Sequence, residues 1–302
     1  MLSISVITPS LNQGRFIERT IQSVLSQDTG EHSLEYLVVD GGSEDTTLDM
    51  VQRFGPRVRW ISEPDRGQAD AVNKGLRLTS GEIIGWLNSD DIYAPGALSL
   101  IAEVFETRPG VDVVYGDAQL IDADDGPLGD YYTEPWNPAR LAKRCFLCQP
   151  AVFFRRRVAQ RFGVLDDRLH YCMDYEYWLR VSAGGAAFTY LPRVLAGSRL
   201  HPATKTISAG LVMHDEINTM LQARLGKVPD SWLINNAHTL VAWDRAAGGR
   251  HAAPYALDVV ANAIRLSWRW NRGLPGHLLT SLLAPVVSGA MRRARLAPVR
   301  SP

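Results

Sequence analysis

Four hydrophobic segments in the first third of the chain are each followed by side chains that could bind a nucleotide or a metal. These polar stretches are residues 8–12, 40–45, 63–67 and 88–91. In an open α/β sheet, ligands bind beyond the carboxyl ends of the parallel strands. We therefore expect the four stretches to lie together at one edge of a sheet.

Asp90 and Asp91 carry the strongest chemical signal among these residues. Two adjacent carboxylates after a buried strand repel each other, so a bound cation or a ligand hydroxyl would stabilise them. Oxygen ligands without sulfur or clustered imidazole favour Mg²⁺ or Mn²⁺, which bridge carboxylates to substrate phosphates. The competing interpretation is a solvated turn that caps the helix beginning near Pro95.

The segments around these stretches alternate between strand-like and helix-like hydrophobic patterns. Short β-branched runs predict strands at 4–8, 36–39, 58–61, 83–87 and 111–115. Helical spacing predicts helices at 16–25, 46–54, 68–78 and 95–105. This alternation implies right-handed βαβ units and a mainly parallel α/β sheet covered on both faces by helices.

The second half of the chain contains both sheet and helix patterns. Residues 117–138 lack periodicity and predict a loop with an edge hairpin. Beyond them we predict a strand at 151–154, a short helix near Val158, a helix at 173–183 and strands near 188–191 and 194–197. After residue 207 the pattern is helical, so we divide the chain into domains at 1–206 and 207–302.

Composition and missing motifs exclude several functions. No G-x-G-x-x-G follows the first strand and no G-x-x-x-x-G-K-[ST] occurs, which argues against a NAD-dependent dehydrogenase and a P-loop NTPase. Lys and Arg total 32, as do Asp and Glu, so no overall field recruits nucleic acid and we expect no nucleic-acid partner. The odd number of cysteines (Cys145, Cys148 and Cys172) predicts a reducing, cytoplasmic compartment, with buried thiols favoured over a zinc site.

A series of motifs resembles the inverting family-2 glycosyltransferases, which have the GT-A fold. The motifs are VITPSLN at 6–12, VDGGSEDT at 39–46, GQADAVNKG at 67–75, GWLNSDD at 85–91, QPAVFFR at 149–155, MDYEYWLR at 173–180 and RLH at 199–201. The resemblance implies a Rossmann-like domain over roughly residues 1–205. It also implies a metal-dependent enzyme that transfers a sugar from a UDP-, GDP- or dTDP-linked donor to a hydroxyl of a glycan or lipid-linked acceptor.

The resemblance assigns donor-binding roles to individual residues. Asp40 would accept a hydrogen bond from the nucleotide base. Asp70 would face the nucleotide sugar, and Asp90 would lie near the ribose. The residues that would flank the base and ribose are Thr8, Pro9, Ser10, Asn12 and Gly41.

The resemblance also implies a metal site and a catalytic base. Asp91 and His201 would hold Mn²⁺ or Mg²⁺ at the diphosphate, and Asp174 would be the general base. From the residues alone, Asp174 could instead be a helix-start acid, with Glu176 the next candidate for the base. Asn88 departs from the family pattern, in which an acid often begins the motif.

Two further residues are assigned to the acceptor side, and two other functions stay open. The acceptor-side residues are Gln149 and Arg180, with a structural role for Gln149 equally open. A nucleotidyltransferase of similar fold would need a basic loop after the first strand, where only Arg15 is nearby. A non-catalytic sugar-nucleotide-binding protein would not need both Asp91 and Asp174.

The C-terminal extension is strongly basic. Residues 250–302 contain eight arginines and one acid, Asp258, which leaves a charge of +7. Tryptophans and arginines flank an uncharged stretch at 273–291; they are Arg265, Trp268, Arg269, Trp270, Arg272, Arg292, Arg293 and Arg295. We predict a peripheral contact through residues 250–302 with the inner face of the cytoplasmic membrane, and the alternative is a soluble helical subdomain.

Overall fold

The computed structural model describes residues 1–205, 209–249 and 253–273. Its internal contacts divide the chain into two units, Met1–Ala209 and Gly210–Pro302. The predicted domain boundary at residue 206 falls within the undescribed residues 206–208.

A single β-sheet forms the centre of the first unit. In the described residues its strands are β1 (Ser3–Ser10), β2 (Ser33–Asp40), β3 (Arg59–Ser62), β4 (Ile83–Trp86), β5 (Ile92–Tyr93), β6 (Val113–Ile121), β7 (Pro127–Asp130), β8 (Val152–Arg155) and β9 (Phe188–Arg199). They lie in the order β3-β2-β1-β4-β8-β6-β9-β5, with β7 paired to β6. The neighbours β3, β2, β1 and β4 are parallel, whereas β8 is antiparallel to both β4 and β6.

The helices of the first unit follow the predicted alternation with the strands. They are α1 (Ile17–Leu25), α2 (Thr47–Gln52), α3 (Gln68–Leu78), α4 (Ala97–Thr107), α5 (Pro138–Leu141), α6 (Arg156–Phe162) and α7 (Met173–Ala183). Both α3 and α7 begin and end at the predicted residues. The alternation of strands and helices predicted from the sequence is therefore confirmed.

Two predicted boundaries are corrected. The strands expected at 188–191 and 194–197 form one strand, β9, because its pairing with β6 continues across a register shift at Gly116 and Asp117. Strand β6 continues to Ile121, into the predicted loop, where it pairs with β7 in an edge hairpin.

The register of the parallel strands brings their polar ends together. Ser10 at the end of β1 pairs with Asp40 at the end of β2, and Asp40 pairs with Ser62 at the end of β3. Seven of the eight residues in β1 are buried, which fixes this row against the core. The stretches after the strands therefore emerge side by side at one edge, as the sequence predicted.

Three helices are described in the second unit. They are α8 (Gly210–Leu225), α9 (Asp230–Ala246) and α10 (Tyr255–Asn271). The Asn271 side chain hydrogen-bonds both the N–H and the C=O of Val228, at 2.8 and 2.9 Å, and so ties the end of α10 to the segment before α9. Within the described residues, no helix is both long and apolar enough to cross a membrane. Residues 274–302, which include Arg292, Arg293 and Arg295, lie outside the described residues.

Candidate functional site

A cavity of about 430 Å³ lies at the edge where the parallel strands end. Its lining comes from the ends of β1 and β4, the segment before α3, and the start of α7. The lining residues include eight whose polar or charged side chains could contact a ligand: Ser10, Asp65, Gln68, Asp90, Asp91, Gln149, Asp174 and Lys205. Five of these are residues that the sequence assigned to the site, so most of the predicted chemistry converges here.

Asp90 and His201 form a pair at this edge. The His201 Nε2 lies 3.1 Å from the Asp90 Oδ2, and the Phe16 ring packs on the imidazole with 4.7 Å between centroids. The Asp90 side chain remains 20% exposed and lines the cavity. Asp90 therefore faces the cavity, whereas the buried His201 contacts Asp90 and is not itself among the lining residues.

Asp91 is held inside the protein. Its side chain accepts hydrogen bonds from the Arg199 N–H at 2.8 Å and from the Asn88 amide at 3.2 Å. Burial, and secondly the charge of Asp90, raise the pKa of the Asp91 carboxyl well above its ordinary value. Both acids line the cavity, with the Asp90 carboxylate more exposed than that of the buried Asp91, and the metal role predicted for Asp91 stays a prediction.

Asn88 explains why the motif can begin with an amide in this chain. Its Oδ1 accepts hydrogen bonds from the Gln68 Nε2 at 2.5 Å and from the Trp86 indole at 2.9 Å, while its Nδ2 donates to Asp91. An acid at position 88 would have no N–H to donate and would put a third negative charge beside Asp91. The departure from the family pattern is thus consistent with the buried state of Asp91.

The donor set available at the cavity fits a hard divalent cation that arrives with a phosphate ligand. No group of three or more His, Cys, Asp or Glu side chains in the described part of the chain could hold a metal by itself. Mg²⁺ commonly takes only one or two protein carboxylates and completes its coordination shell with substrate phosphates and water. Asp90 and Asp91 supply carboxylates on the cavity lining, and His201 adjoins Asp90. Cys145 and Cys148 are free thiols whose pKa values burial raises; Cys148 is buried as predicted, whereas Cys145 is half-buried.

Asp40 holds the turn after β2. Its carboxylate is fully buried and accepts hydrogen bonds from the N–H groups of Gly42 and Ser43 at 3.0 and 2.9 Å. It also accepts from the hydroxyls of Ser43 at 2.5 Å and Ser62 at 2.7 Å. Asp40 joins β2 to β3 and shapes the turn; it is not among the residues that line the cavity, and its contact with a nucleotide base stays a prediction.

The predicted base-flanking residues divide into two groups. Pro9 and Ser10 line the cavity, and no residue in the described ranges hydrogen-bonds the buried Ser10 Oγ. Thr8 is buried against the Tyr36 hydroxyl at 3.2 Å. Asn12, in the left-handed conformation with φ 53°, donates its N–H to Ser43 and accepts from the Glu44 N–H. These contacts brace the loops after β1 and β2, so Thr8 and Asn12 support the site from outside the cavity.

Asp70 lies in the first turn of α3 and turns away from the cavity lining. It accepts hydrogen bonds from the Arg66 N–H at 3.2 Å and from the Arg66 guanidinium at 3.3 Å. Burial would raise the pKa of Asp70, but the bonds and charge of Arg66 outweigh it and hold the pKa below its ordinary value. The residues of this helix that line the cavity are Gln68 and Ala71, and the contact of Asp70 with the nucleotide sugar stays a prediction.

Arg180 is part of the framework of α7. Its guanidinium pairs with both oxygens of Glu176, each at 3.0 Å, and donates to the carbonyls of Phe162 and Val164. Arg180 is absent from the cavity lining, and its acceptor-side role stays a prediction. Glu176 is buried in this ion pair, which also removes it as a second candidate for the base.

Asp174 and Gln149 both line the cavity, as the sequence predicted. Asp174 is half-buried in the first turn of α7, where the helix dipole favours an ionised carboxylate. The Gln149 Nε2 donates to the Trp86 carbonyl at 2.6 Å, and its buried Oε1 has no hydrogen-bond partner in the residues that the structure describes. Gln149 therefore offers an acceptor to a ligand while its other end is fixed.

Three of these cavity residues were given no role by the sequence analysis, namely Asp65, Gln68 and Lys205. The Lys205 Nζ donates to the Gln68 Oε1 at 2.9 Å and to the His170 carbonyl at 3.0 Å, so it joins three segments around the cavity. The only available signal for Lys205 was a basic residue four positions after His201. Gln68 stands inside a quoted motif, but its position at the start of a helix gave it no distinct role.

Residues 5–172 match the sequence model of the family described as Glycosyl transferase family 2. An uncharacterized glycosyltransferase of Nostoc sp. is 33% identical over 226 residues, covering 69% of this chain and 68% of that protein. The chondroitin synthase of Escherichia coli is 28% identical over 207 residues, which cover 68% of this chain but 30% of that protein. The chain thus spans less than a third of the chondroitin synthase.

Solved structures share the fold at low sequence identity. S. aureus TarS 1–349 in complex with UDP-GlcNAc aligns with a TM-score of 0.61 and 16% identity, over 87% of this chain and 80% of that one. The mannosyltransferase PcManGT of Pyrobaculum calidifontis, in complex with GDP-Man and Mn²⁺, aligns with a TM-score of 0.53 and 19% identity, over 95% and 79%. The predicted fold class, a GT-A domain followed by helices, is confirmed.

Proposed function

Because the chain belongs to glycosyl transferase family 2, we propose that it is a metal-dependent, inverting enzyme that transfers a sugar from a nucleoside diphosphate to an acceptor hydroxyl. The observation that carries the proposal is the placement of Asp90 and Asp174 on the walls of one cavity, with His201 against Asp90. This arrangement provides a site for a cation and a separate carboxylate for a proton. The acceptor that we propose is a glycan or lipid-linked glycan.

Asp90 and His201 would hold Mn²⁺ or Mg²⁺. Such an ion neutralises the charge that develops on a leaving diphosphate. The Mn²⁺ bound by the mannosyltransferase PcManGT supports this proposal by analogy. Gln68 and Lys205, which are hydrogen-bonded to each other beside the pair, add polar groups on the same wall.

Asp174 would act as the general base. In a single displacement the acceptor oxygen forms a bond to the anomeric carbon while the bond from that carbon to the diphosphate oxygen breaks. The acceptor proton passes to the Asp174 carboxylate, and attack from the face opposite the diphosphate inverts the configuration. A half-buried carboxylate on the cavity wall suits this role, since the acceptor hydroxyl must reach it within hydrogen-bond distance.

The donor would be a nucleoside-diphosphate sugar linked to UDP, GDP or dTDP. TarS is bound to UDP-GlcNAc and PcManGT to GDP-Man, which supports this class without selecting one member. We also propose that the enzyme works in the cytoplasm, with a peripheral contact to the inner face of the membrane. The described part of that surface is on α10, where Trp268 is 57% exposed beside Arg265 and Arg269.

Thermal unfolding with a panel of nucleotide sugars tests the proposal. A donor that binds only the folded protein raises its midpoint, and at 100 times its Kd it stabilises the protein by about 2.7 kcal/mol. We expect stabilisation by at least one nucleotide sugar in the presence of Mn²⁺, and a smaller effect with EDTA. Product analysis with the stabilising donor should then show the opposite anomeric configuration. Failure of every nucleotide sugar and every nucleoside diphosphate to bind would refute the proposed function.

A further inference from the structure

The carboxylate of Asp65 lines the cavity but has no part in the mechanism above. Asp65 follows β3, whereas Asp90 follows β4, and the sheet order places β2 and β1 between them. Three strand spacings separate β3 from β4 by about 14 Å. A nucleoside diphosphate whose phosphates meet Asp90 and His201 would therefore extend its base toward Asp65.

Gly41 makes room for this carboxylate. A methyl group at position 41 would lie 2.6 Å from the Asp65 Oδ2, closer than real contacts come, and 3.1 Å from its Cγ, which is a tight contact. The Asp65 side chain therefore occupies the space that a side chain at position 41 would enter. Only glycine at position 41 leaves the carboxylate where it is.

The two oxygens of Asp65 have different surroundings. Oδ1 accepts a hydrogen bond from the Gly67 N–H at 2.8 Å, which fixes the side chain in a tight turn. No donor within the described residues hydrogen-bonds Oδ2. The cavity lining also includes Ser10, whose buried Oγ has no hydrogen-bond partner among the residues that the structure describes. The Asp65 Oδ2 can accept a hydrogen bond from a ring N–H, and the Ser10 hydroxyl can donate one to a carbonyl next to that N–H.

We propose that Asp65, seated over Gly41, recognises the ring N–H of the donor's nucleobase and so selects uracil, thymine or guanine over cytosine and adenine. Uracil, thymine and guanine carry a ring N–H beside a carbonyl, whereas cytosine and adenine present an unprotonated ring nitrogen at the equivalent edge. A carboxylate attracts the first edge and repels the second. The inference rests on the proposed function, and it replaces Asp40 with Asp65 as the residue that reads the base.

Nucleoside diphosphate affinities measured by calorimetry in Mn²⁺ test this assignment. The probes are UDP, dTDP, GDP, CDP and ADP, and the variant is Asp65→Asn, which keeps the acceptor for Gly67 and replaces the other oxygen with a donor. We expect wild-type protein to prefer a ring N–H nucleotide, and Asp65→Asn to weaken that binding by roughly 10- to 100-fold, the effect of losing a charged hydrogen bond. CDP or ADP should bind Asp65→Asn no worse than wild type. The preferred nucleotide among UDP, dTDP and GDP identifies the base.

Glu63→Gln provides the matched control, because it makes the same charge change two residues away on a side chain that pairs with Lys74 outside the cavity lining. It should keep the wild-type ranking of nucleotides. A second test moves the carboxylate: Gly41→Asp alone should weaken binding, and Gly41→Asp with Asp65→Gly should restore it in part, because the two side chains claim the same space.

Two outcomes would overturn the assignment in distinguishable ways. Wild-type protein that binds nucleotides, with Asp65→Asn and Glu63→Gln equal in ranking and affinity, removes Asp65 as the base-reading residue and leaves the proposed function standing. Wild-type protein that binds none of the five nucleotides refutes the proposed function and this inference with it.

Discussion

The imidazole of His201 meets the carboxylate of Asp90 across 111 positions of sequence, with 3.1 Å between Nε2 and Oδ2. The adjacent carboxylate of Asp91 instead accepts a hydrogen bond from the backbone of Arg199. The two neighbouring acids both line the cavity but differ in burial, because the Asp90 side chain is 20% exposed and Asp91 is buried and hydrogen-bonded to the backbone. This difference predicts opposite results from the same substitution at the two positions.

Asp90→Asn should weaken Mn²⁺-dependent nucleotide binding by more than roughly 10-fold, because even the loss of an outer contact to a metal ligand has an effect of that size. The unfolding midpoint should change little, since Asp90 is partly exposed. Calorimetry with Mn²⁺ and with EDTA measures the binding. If Asp90→Asn kept the full response to Mn²⁺, the proposed metal site would be refuted.

Asp91→Asn should lower the free energy of unfolding by roughly 1–3 kcal/mol. The new NH₂ group would replace one of the two accepting oxygens, so it would lie against a second donor, either the Asn88 amide or the Arg199 N–H. Urea denaturation measures this loss, and Asp90→Asn is its matched control. The metal dependence of nucleotide binding by the folded protein should persist. A stable Asp91→Asn protein that no longer responds to Mn²⁺ would restore Asp91 as the ligand predicted from the sequence.

Asp70→Asn should make stability less dependent on pH in the acid range. The folded-state pKa of Asp70 is lowered, so its contribution is present above the ordinary carboxyl value of 3.8 and is lost as the pH falls through the folded-state value. Urea midpoints at pH 7 and near pH 3 should therefore differ less for Asp70→Asn than for wild type. Asp167→Asn, which removes the exposed partner of Arg66, is the control. Equal pH dependence in all three proteins would contradict the ion pair.

Arg265→Glu and Trp268→Ala should weaken binding to vesicles that contain anionic lipids. A basic residue near such a surface contributes about 1 kcal/mol, or roughly fivefold in partitioning, and the effect should shrink as salt is added. Arg53→Ala, at an exposed position in the first unit, is the control. Vesicle flotation measures the bound fraction. Equal flotation of all variants at low salt would argue for the soluble helical subdomain.

Local sequence patterns predicted where the helices and strands lie better than they predicted which strands pair with each other. Helices α3 and α7 could be placed to the residue because their apolar spacing and polar flanks are local signals. The antiparallel insertion of β8 between β4 and β6 had no such signal, because it depends on pairing between segments distant in sequence. The parallel strands β3, β2, β1 and β4 could be predicted from the sequence, whereas the pairing of β8, β6, β9 and β5 could not.

Contacts between distant segments also limit how far the roles of the site residues can be predicted from the sequence. Asp174 and Gln149 line the cavity as expected. The Asp40 carboxylate accepts a hydrogen bond from Ser62 on the neighbouring strand. The Asp91 carboxylate accepts one from the backbone N–H of Arg199, 108 residues away in sequence. A motif shows which acids are present, but tertiary hydrogen bonds decide which of them remain available to a ligand.

Asp174→Asn separates transfer from donor binding and gives the sharpest test of the proposed base. The carboxylate would act on the acceptor hydroxyl alone, so donor affinity should stay near the wild-type value while turnover falls by roughly 10²–10⁴-fold, the usual effect of losing a positioned base. Glu176→Gln, on the same helix, is the control because it weakens the ion pair with Arg180. It should lower the free energy of unfolding but leave the turnover of the folded protein near the wild-type value. Calorimetry with the nucleotide and initial rates with saturating acceptor measure the two effects. If Asp174→Asn lost donor affinity as severely as turnover, or kept normal turnover, Asp174 would be a structural acid at the start of α7 and the base would have to come from another side chain on the cavity wall.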